Sequence, residues 1–520
     1  MDYSTLMIAI MIVPFVAAIL IAVLPSKSTP KLVFEVIHFA SITAVLVLAI
    51  LLVVQVGSTG KAIDAVGLWF HLDGLGMVFL ALIGVIGFLT GWYSIPYVRH
   101  DEKIGNVGPG QIKAYYVFFS LFVFSMLLVV LSNNIIMMWA AIEATTLSTV
   151  FLVGCYNKKT TLEASWKYVI VCTAGVAFGL YGTVLVYADA ASLLSDPHQA
   201  VFWTSLLPVA KQFDAMLIQI AFVFAAIGFG TKAGLFPMHT WLPDAHSEAP
   251  SPVSALLSGV LLKCAMLIII RFYILCIQAV GTFFPQLLML ILGALSVGVA
   301  AFAVFAQDDL KRKLAYHSCE NIGIVALCLG FGGPLGIAAA LLHCVTHGFT
   351  KALLFCISGN VLIKYGTRDL NKISGILRVA PATGILMAIG FFALAGFPPF
   401  AMFLSEIMAF ISGVVAGHIV LVCLFGVALT VVIAACVHVV TGAVFGEPPE
   451  NVKKGDLSPF ALIPEFAMVI VILWFGVAMP QPVLNGIETA TATVLQTDTN
   501  VLHEAPLFKD IFAATQANSD

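Results

Sequence analysis

Apolar runs of about twenty residues follow one another almost from end to end of this chain, parted by short polar stretches. They begin near Leu6, Val33, Gly74, Tyr116, Ile135, Ser165, Ala215, Val253, Pro285, Leu314, Leu335, Thr383, Ile419 and Leu462. A spanning helix needs about 20 predominantly apolar residues, so the pattern predicts an all-α integral membrane protein of about 14 transmembrane helices. Composition agrees: 61% of the 520 residues are hydrophobic and 10% charged, against about 25% charged in soluble domains. The first run lacks a basic leader and a small-residue cleavage site, so it reads as a retained helix. Beyond Val483, through "IETATATVL" to Asp520, the pattern predicts a short amphipathic piece and a loose tail.

The pattern is interrupted twice inside spans. After Lys232 the chain reads "AGLFPMHTWLPDAHSEAPSPVSALL", with prolines at 237, 243, 250 and 252; near Glu406 it reads "FALAGFPPFAMFLSE". Proline removes an amide donor and interrupts the helical ladder. At membrane depth such backbone is tolerated only where protein buries it or it lines a water-filled cavity. Helix breaks are therefore expected at Pro237, Pro243, Gly396, Pro398 and Pro399, with a plain proline-rich loop as the alternative at the first. The breaks lie about five spans apart, which suggests two inverted five-helix repeats. The expected units are residues 1–114 (helices 1–3), 115–275 (helices 4–8), 283–446 (helices 9–13) and 447–520 (last helix and tail).

Charge adds orientation. Seventeen lysines and arginines follow odd-numbered spans, whereas Lys61, Lys211, Arg271 and Lys509 follow even-numbered ones. The positive-inside rule then places both termini outside the cytoplasm. The net charge of -3 points to no nucleic-acid partner. Ten cysteines are scattered through apolar runs without Cys/His metal spacing. They read as buried reduced thiols, and no metal or iron–sulfur cluster is expected.

Three basic residues remain, Lys232, Lys263 and Lys351, and all lie inside apolar runs beside Glu143 and Glu406. His343 and His347 sit one turn apart, with Lys351 one turn further along the same face. A charge at mid-membrane costs about 2.5–3.5 kcal/mol, so pairing or internal water must offset it. The simplest offset is glutamate facing lysine across a polar track. Structural ion pairs tying helices together are the alternative. A His-x-x-x-His face also suits a metal, but no third ligand suggests itself.

The run "TKAGLFPMHTWLPDAHSEAPSPVSALLSGVLLK", together with "HLDGLGMVFL", "HGFTKALLFCISGNVL" and "ALAGFPPFAMFLSE", resembles the signature of the antiporter-like subunits shared by respiratory complex I, Mrp-type cation/proton antiporters and membrane-bound hydrogenases. That resemblance implies a proton channel of two inverted half-channels joined by a central polar axis. It matches Glu143 to the family's fifth-helix glutamate, Lys232 to its seventh-helix lysine and Lys263 to the eighth-helix lysine at the membrane centre. His347 matches the eleventh-helix histidine and Glu406 the twelfth-helix carboxylate, a lysine in some relatives. Lys351 fits the pattern "HGxxKAxLF". Complex I subunits often carry a histidine in helix ten where this chain has Asn321, in "AYHSCENIG". His317 and Glu320 lie close by, and His317 is offered as the bridge to the distal half. "HSxEN" and "YGTRDLNKISGILRVAP" are similar to hydrogenase 4 component F, of the formate-hydrogenlyase type.

The resemblance thus implies a proton relay, or a sodium path, through Glu143, Lys232, Lys263, His317, Glu320, His343, His347, Lys351 and Glu406. The chain has no phosphate loop, no dinucleotide fingerprint and no cysteine cluster, so no cofactor is expected in it. Electrons are expected to run in partner membrane and peripheral subunits of a hydrogenase-like or complex I-like assembly. The expected setting is the bilayer of a bacterial or archaeal cytoplasmic (inner) membrane. Two alternatives stand: an Mrp-type Na+/H+ antiporter subunit without a redox partner, and a structural scaffold of a membrane oxidoreductase.

Overall fold

A computed structural model describes residues 2–450, 452–497 and 502. The chain opens with α1 (Tyr3–Val23) and α2 (Lys31–Thr59), then a two-stranded antiparallel hairpin, β1 (Ile63–Ala65) and β2 (Phe70–Leu72), paired Ile63 to Leu72. There follow α3 (Gly74–Lys103), α4 (Pro109–Leu131), α5 (Ile135–Val153) and α6 (Lys159–Leu193). Past short turns comes α7 (Ala215–Ala233), then the short α8 (Trp241–Glu248), α9 (Ser251–Val280), α10 (Phe283–Phe305), α11 (Leu310–Phe331) and α12 (Gly333–Tyr365). The last elements are α13 (Pro381–Leu394), α14 (Ala401–Val415), α15 (Ile419–Val444), α16 (Pro459–Val477) and α17 (Gln481–Leu495).

Among the described residues, thirteen helices, one of them running through α7 and α8, are long and apolar enough to cross a membrane. The run expected from Thr383 is divided into two shorter apolar helices, α13 and α14. The chain is a multi-pass, all-α membrane protein. Its helices start where sequence and physics agree: Asp73, Asn134, Asp214 and Asp309 each accept a backbone N–H of the first turn of the helix they precede. Such caps satisfy donors that have no partner in the helix itself.

Burial ranks the helices. The apolar window of α12 is wholly buried and those of α9 and α11 are 94% buried, whereas α2, α6, α15 and α16 turn most of theirs outward. Large apolar side chains such as Leu51, Phe178 and Trp474 face out, as lipid contact requires. The three most buried helices carry most of the ionisable residues that the sequence singles out.

Several expectations need correction. Arg271 is not a loop residue: it is 2% exposed within α9 and holds Asp73 through two hydrogen bonds, 2.5 and 2.8 Å. Lys311 and Lys313, counted with a loop, are also buried, and Lys311 donates to the Ala249 carbonyl at 2.5 Å. Both begin a helix, where long side chains can fold back onto protein. Pro243 does not break a helix; it lies in the first turn of α8, where its missing N–H costs nothing. The short amphipathic piece expected after Val483 is, by contrast, present as the helix α17, packed on α3. Apart from Leu502, the tail past Thr497, with Lys509 and Asp520, lies outside the described residues.

Asp73 precedes the α3 span, and its pairing with Arg271 sets an acid limit on the fold. Burial pushes its carboxyl up, but the Arg271 guanidinium outweighs burial and holds it at about 2. The unfolded value is about 3.9, so the stabilisation is complete above pH about 4 and fades as pH falls towards about 2, on the order of 2 kcal/mol in all. Asp73→Asn leaves the buried guanidinium uncompensated and should cost about 3–5 kcal/mol. Thermal unfolding in detergent should show a lower midpoint for the variant at pH 7 and a smaller loss between pH 4 and 2. Equal midpoints at pH 7 would refute the pair's contribution.

Candidate functional site: a buried polar track through the helix bundle

Lys232 is the last residue but one of α7. Gly234 closes that helix in the left-handed conformation, φ 84°, and the indole N–H of Trp241 donates to the Thr231 carbonyl at 2.8 Å, occupying an acceptor the break sets free. The Lys232 ammonium nitrogen donates to Thr146 Oγ1 at 2.8 Å and to the Tyr168 hydroxyl at 2.6 Å. It also lies over the Tyr168 and Trp241 rings. The expected Glu143–Lys232 contact is absent among the described residues. Thr146 stands between them and donates to Glu143 at 3.3 Å, while Thr173 donates to the other carboxylate oxygen at 2.7 Å. Glu143 is half-buried on the outer side of α5.

At the centre, α9 contains a widened π-type turn, Leu257–Leu261. Such a turn breaks the regular ladder. Lys263 donates to the Ser258 carbonyl in it at 2.5 Å. The Ser258 hydroxyl lies 2.7 Å from that of Ser318 on α11. Glycines set the crossing with α12: a Cβ on Gly259 or Gly348 would lie 3.0–3.2 Å from the other's carbonyl oxygen. This close approach places Lys263 and His347 on adjoining helices.

On the distal side α11, α12 and α14 meet. His343 Nδ1 lies 2.9 Å from Ser405 Oγ, and its Nε2 lies 3.0 Å from Asn321 Oδ1. Asn321 Nδ2 donates to Glu320 Oε2 at 2.5 Å and to the His317 carbonyl at 2.7 Å. The His343 and His347 rings are parallel, 6.1 Å apart, and neither His347 nitrogen has a partner among the described residues. Lys351 donates to the Leu314 carbonyl at 2.5 Å. His317 Nδ1 is 3.8 Å from Glu320 and its Nε2 3.7 Å from the Cys436 sulfur. Hydrogen bonds between α11 and α12 are therefore made by Asn321 with His343 and by Lys351 with the Leu314 carbonyl, not by the His317 ring. Glu406 lies on α14 against Gly396 of the second break.

The structure thus groups Glu320, His317, His343, His347 and Lys351 around α12, with Lys263 beside them across the Gly259–Gly348 crossing. Lys232 and Glu143 form a separate cluster on α5, α6 and α7. Sequence reasoning missed Thr146, Tyr168, Thr173, Ser258 and Ser405. Neutral hydroxyls in helices are common: Thr146, one turn from Glu143, has a spacing that could have singled it out, whereas Tyr168 and Thr173 lie on α6, which carries none of the relay candidates. Among the described residues no group of three or more His, Cys, Asp or Glu side chains could hold a metal.

Gly396 gives a direct test of the second break. Its φ of +66° suits glycine, and a Cβ there would fall 1.9 Å from Glu406 Oε2. Gly396→Ala should cost about 1 kcal/mol for the left-handed backbone and displace the Glu406 carboxylate. Proton flux in vesicles should fall at least as far as in Glu406→Gln, with protein abundance by immunoblot above half of wild type. Wild-type flux would show that the carboxylate's seat is not needed.

Comparison with known proteins places this architecture. The family profile described as NADH:quinone oxidoreductase/Mrp antiporter, transmembrane, matches residues 132–433. A hydrogenase-4 component F homolog of Methylacidiphilum infernorum is 37% identical over 424 residues, 81% of this chain and 88% of that protein. In solved structures, a subunit of an archaeal membrane-bound sulfane sulfur reductase superposes with TM-score 0.83 at 23% identity, covering 95% of this chain and 98% of that one. A chain of the Mrp complex from Dietzia sp. DQ12-45-1b gives 0.82 at 20% identity, covering 95% and 97%.

Proposed function

We propose that this chain, which belongs to the NADH:quinone oxidoreductase/Mrp antiporter transmembrane family, carries protons across a bacterial or archaeal cytoplasmic membrane for a redox module held in partner subunits. Its matched relative is a hydrogenase-4 component F homolog and its structural neighbours sit in multi-subunit complexes, which supports partners of hydrogenase or complex I type. Both termini lie outside the cytoplasm in this reading. The two helix breaks belong to inverted repeats over 115–275 and 283–446.

One observation carries the relay. Lys232, Lys263 and Lys351 are fully buried and each is held by neutral oxygens: hydroxyls for Lys232, backbone carbonyls for the other two. Among the described residues none of the three has a carboxylate oxygen within 4.0 Å. A lysine on neutral acceptors gives up its proton without stranding a partner's charge. A structural ion pair does not have that freedom, because the carboxylate left behind is costly. In the proposed path a proton exchanges between Glu143 and Lys232 across Thr146. Water and the Ser258–Ser318 hydroxyls link Lys263 to the group on α11 and α12, and Glu406 releases the proton at the second break.

Lys232→Ala leaves two hydroxyls to find new partners, at about 1–3 kcal/mol, and leaves no stranded charge within hydrogen-bond reach. Insertion and assembly should hold while proton uptake falls to background. Lys232→Arg should be nearly as damaging, since a guanidinium does not release its proton in proteins. The measurement is proton uptake by vesicles carrying the assembled complex, with abundance by immunoblot. Full uptake with arginine would favour a structural lysine, and strict dependence of uptake on sodium would favour the Mrp-type reading.

A further inference from the structure

Asn321 occupies an unusual position: its one amide group touches Glu320, the His317 carbonyl and His343 at once. Its orientation is set by a group that cannot change protonation. The His317 backbone carbonyl, 2.7 Å from Nδ2, accepts only. Flipping the amide would put Oδ1 against that carbonyl oxygen, so Nδ2 stays towards His317 and Glu320. Oδ1 then faces His343 Nε2 at 3.0 Å. An amide oxygen only accepts, so Nε2 must carry a hydrogen in every protonation state of the ring.

The other nitrogen faces a different kind of partner. Ser405 Oγ is 2.9 Å from Nδ1 and also 2.8 Å from the Met402 carbonyl. When His343 is neutral, the Ser405 hydroxyl donates to Nδ1. When Nδ1 carries a proton, it donates to Ser405, whose own hydrogen turns to Met402. Both states are fully satisfied, although the ring is wholly buried.

We infer that Asn321 is a positioning residue that makes His343 a one-port proton holder, loaded and emptied only at Nδ1 from the Ser405 side. The inference rests on the relay reading above and deepens it. Loading is proton transfer alone: the Ser405 O–H breaks as Nδ1–H forms, the travelling proton replaces the one Ser405 gave up, and no electron moves. Transfer through the ring from Glu320 would require the Asn321 amide oxygen, which has no hydrogen, to deliver one to an Nε2 already protonated. Transfer towards Glu320 would require Nε2 to surrender its hydrogen to that oxygen, which is far too weak a base. The passage across α12 therefore falls to His347, whose two nitrogens are unpartnered among the described residues.

Nitrogen-15 NMR of histidine-labelled protein in bilayers tests this, with the His343 signals assigned by their loss in His343→Gln. Neutral His343 should be the Nε2–H tautomer by about tenfold or more, as a buried hydrogen bond worth on the order of 1.4 kcal/mol sets. Asn321→Ala should bring the two tautomers within about threefold, and Asn321→Asp, whose carboxylate can take the Nε2 hydrogen, should open proton exchange at Nε2 that the wild type lacks. A wild-type Nδ1–H tautomer, or a ratio unchanged in Asn321→Ala, would overturn the inference, and the wild-type spectrum, assigned through His343→Gln, decides even if the Asn321 variants fail to assemble. Failure of the relay itself would appear separately, as proton uptake surviving in Lys232→Ala while the His343 tautomer stays as stated.

Discussion

A lysine in the hydrocarbon slab costs about 2.5–3.5 kcal/mol on the insertion scale, and the way that cost is met decides what the lysine can do. This chain meets it in two ways. Arg271 is met by a carboxylate, through two short hydrogen bonds from a group that keeps its proton. The pair is fixed, and it pins α9 to the start of α3. Lys232, Lys263 and Lys351 are met instead by hydroxyls and backbone carbonyls. Those acceptors stabilise an ammonium only in part, but they are equally content with an amine. The same membrane and the same kind of cost therefore give one rigid tie and three lysines held by neutral oxygens, the arrangement the proposed relay needs.

One of the neutral acceptors comes from irregular backbone, while the Leu314 carbonyl that takes Lys351 lies inside the regular helix α11 and the hydroxyls that take Lys232 lie on α5 and α6. A regular helix spends its carbonyls on its own ladder, leaving few for side chains. The widened turn in α9 exposes the Ser258 carbonyl to Lys263. The break after Lys232 exposes the Thr231 carbonyl, which Trp241 takes, and so ends α7 where Lys232 can reach across to α5 and α6. At Gly396 the second break brings backbone against Glu406. Helix irregularity thus supplies the acceptor of Lys263 directly and sets where Lys232 and Glu406 sit beside the breaks.

Much of this was legible in the sequence, and the remainder was hidden for definite reasons. The apolar runs, the breaks near Lys232 and Glu406 and the charged residues inside spans all depend on residue type and spacing, so they could be read directly. Pro243 was misread because a proline's effect depends on its place in a helix, and the first turn tolerates it. Arg271 was misread because a basic residue near the end of an apolar run looks like a loop residue until its partner, about two hundred positions earlier, is known. The Glu143–Lys232 contact was too simple: Thr146 lies one turn from Glu143 and its hydroxyl reaches the lysine first. The widened turn at Leu257–Leu261 leaves no mark in "LSGVL" that a regular helix would not also carry.

The distal cluster shows why the helix between two neighbours matters more than any one group on it. His343, His347 and Lys351 share a face at helical spacing, and α12 is buried along its whole apolar window. Each group can therefore bond only to neighbouring helices: His343 to α11 and α14, Lys351 to α11. A proton that moves here moves between helices, and its direction is set by which neighbour offers an acceptor that can also give a hydrogen back. Ser405 can do both, whereas Asn321 oxygen and the Leu314 carbonyl can only accept. In the proposed relay the asymmetry of the track thus lies in the chemistry of its uncharged members, and the ionisable residues are the places where protons would rest.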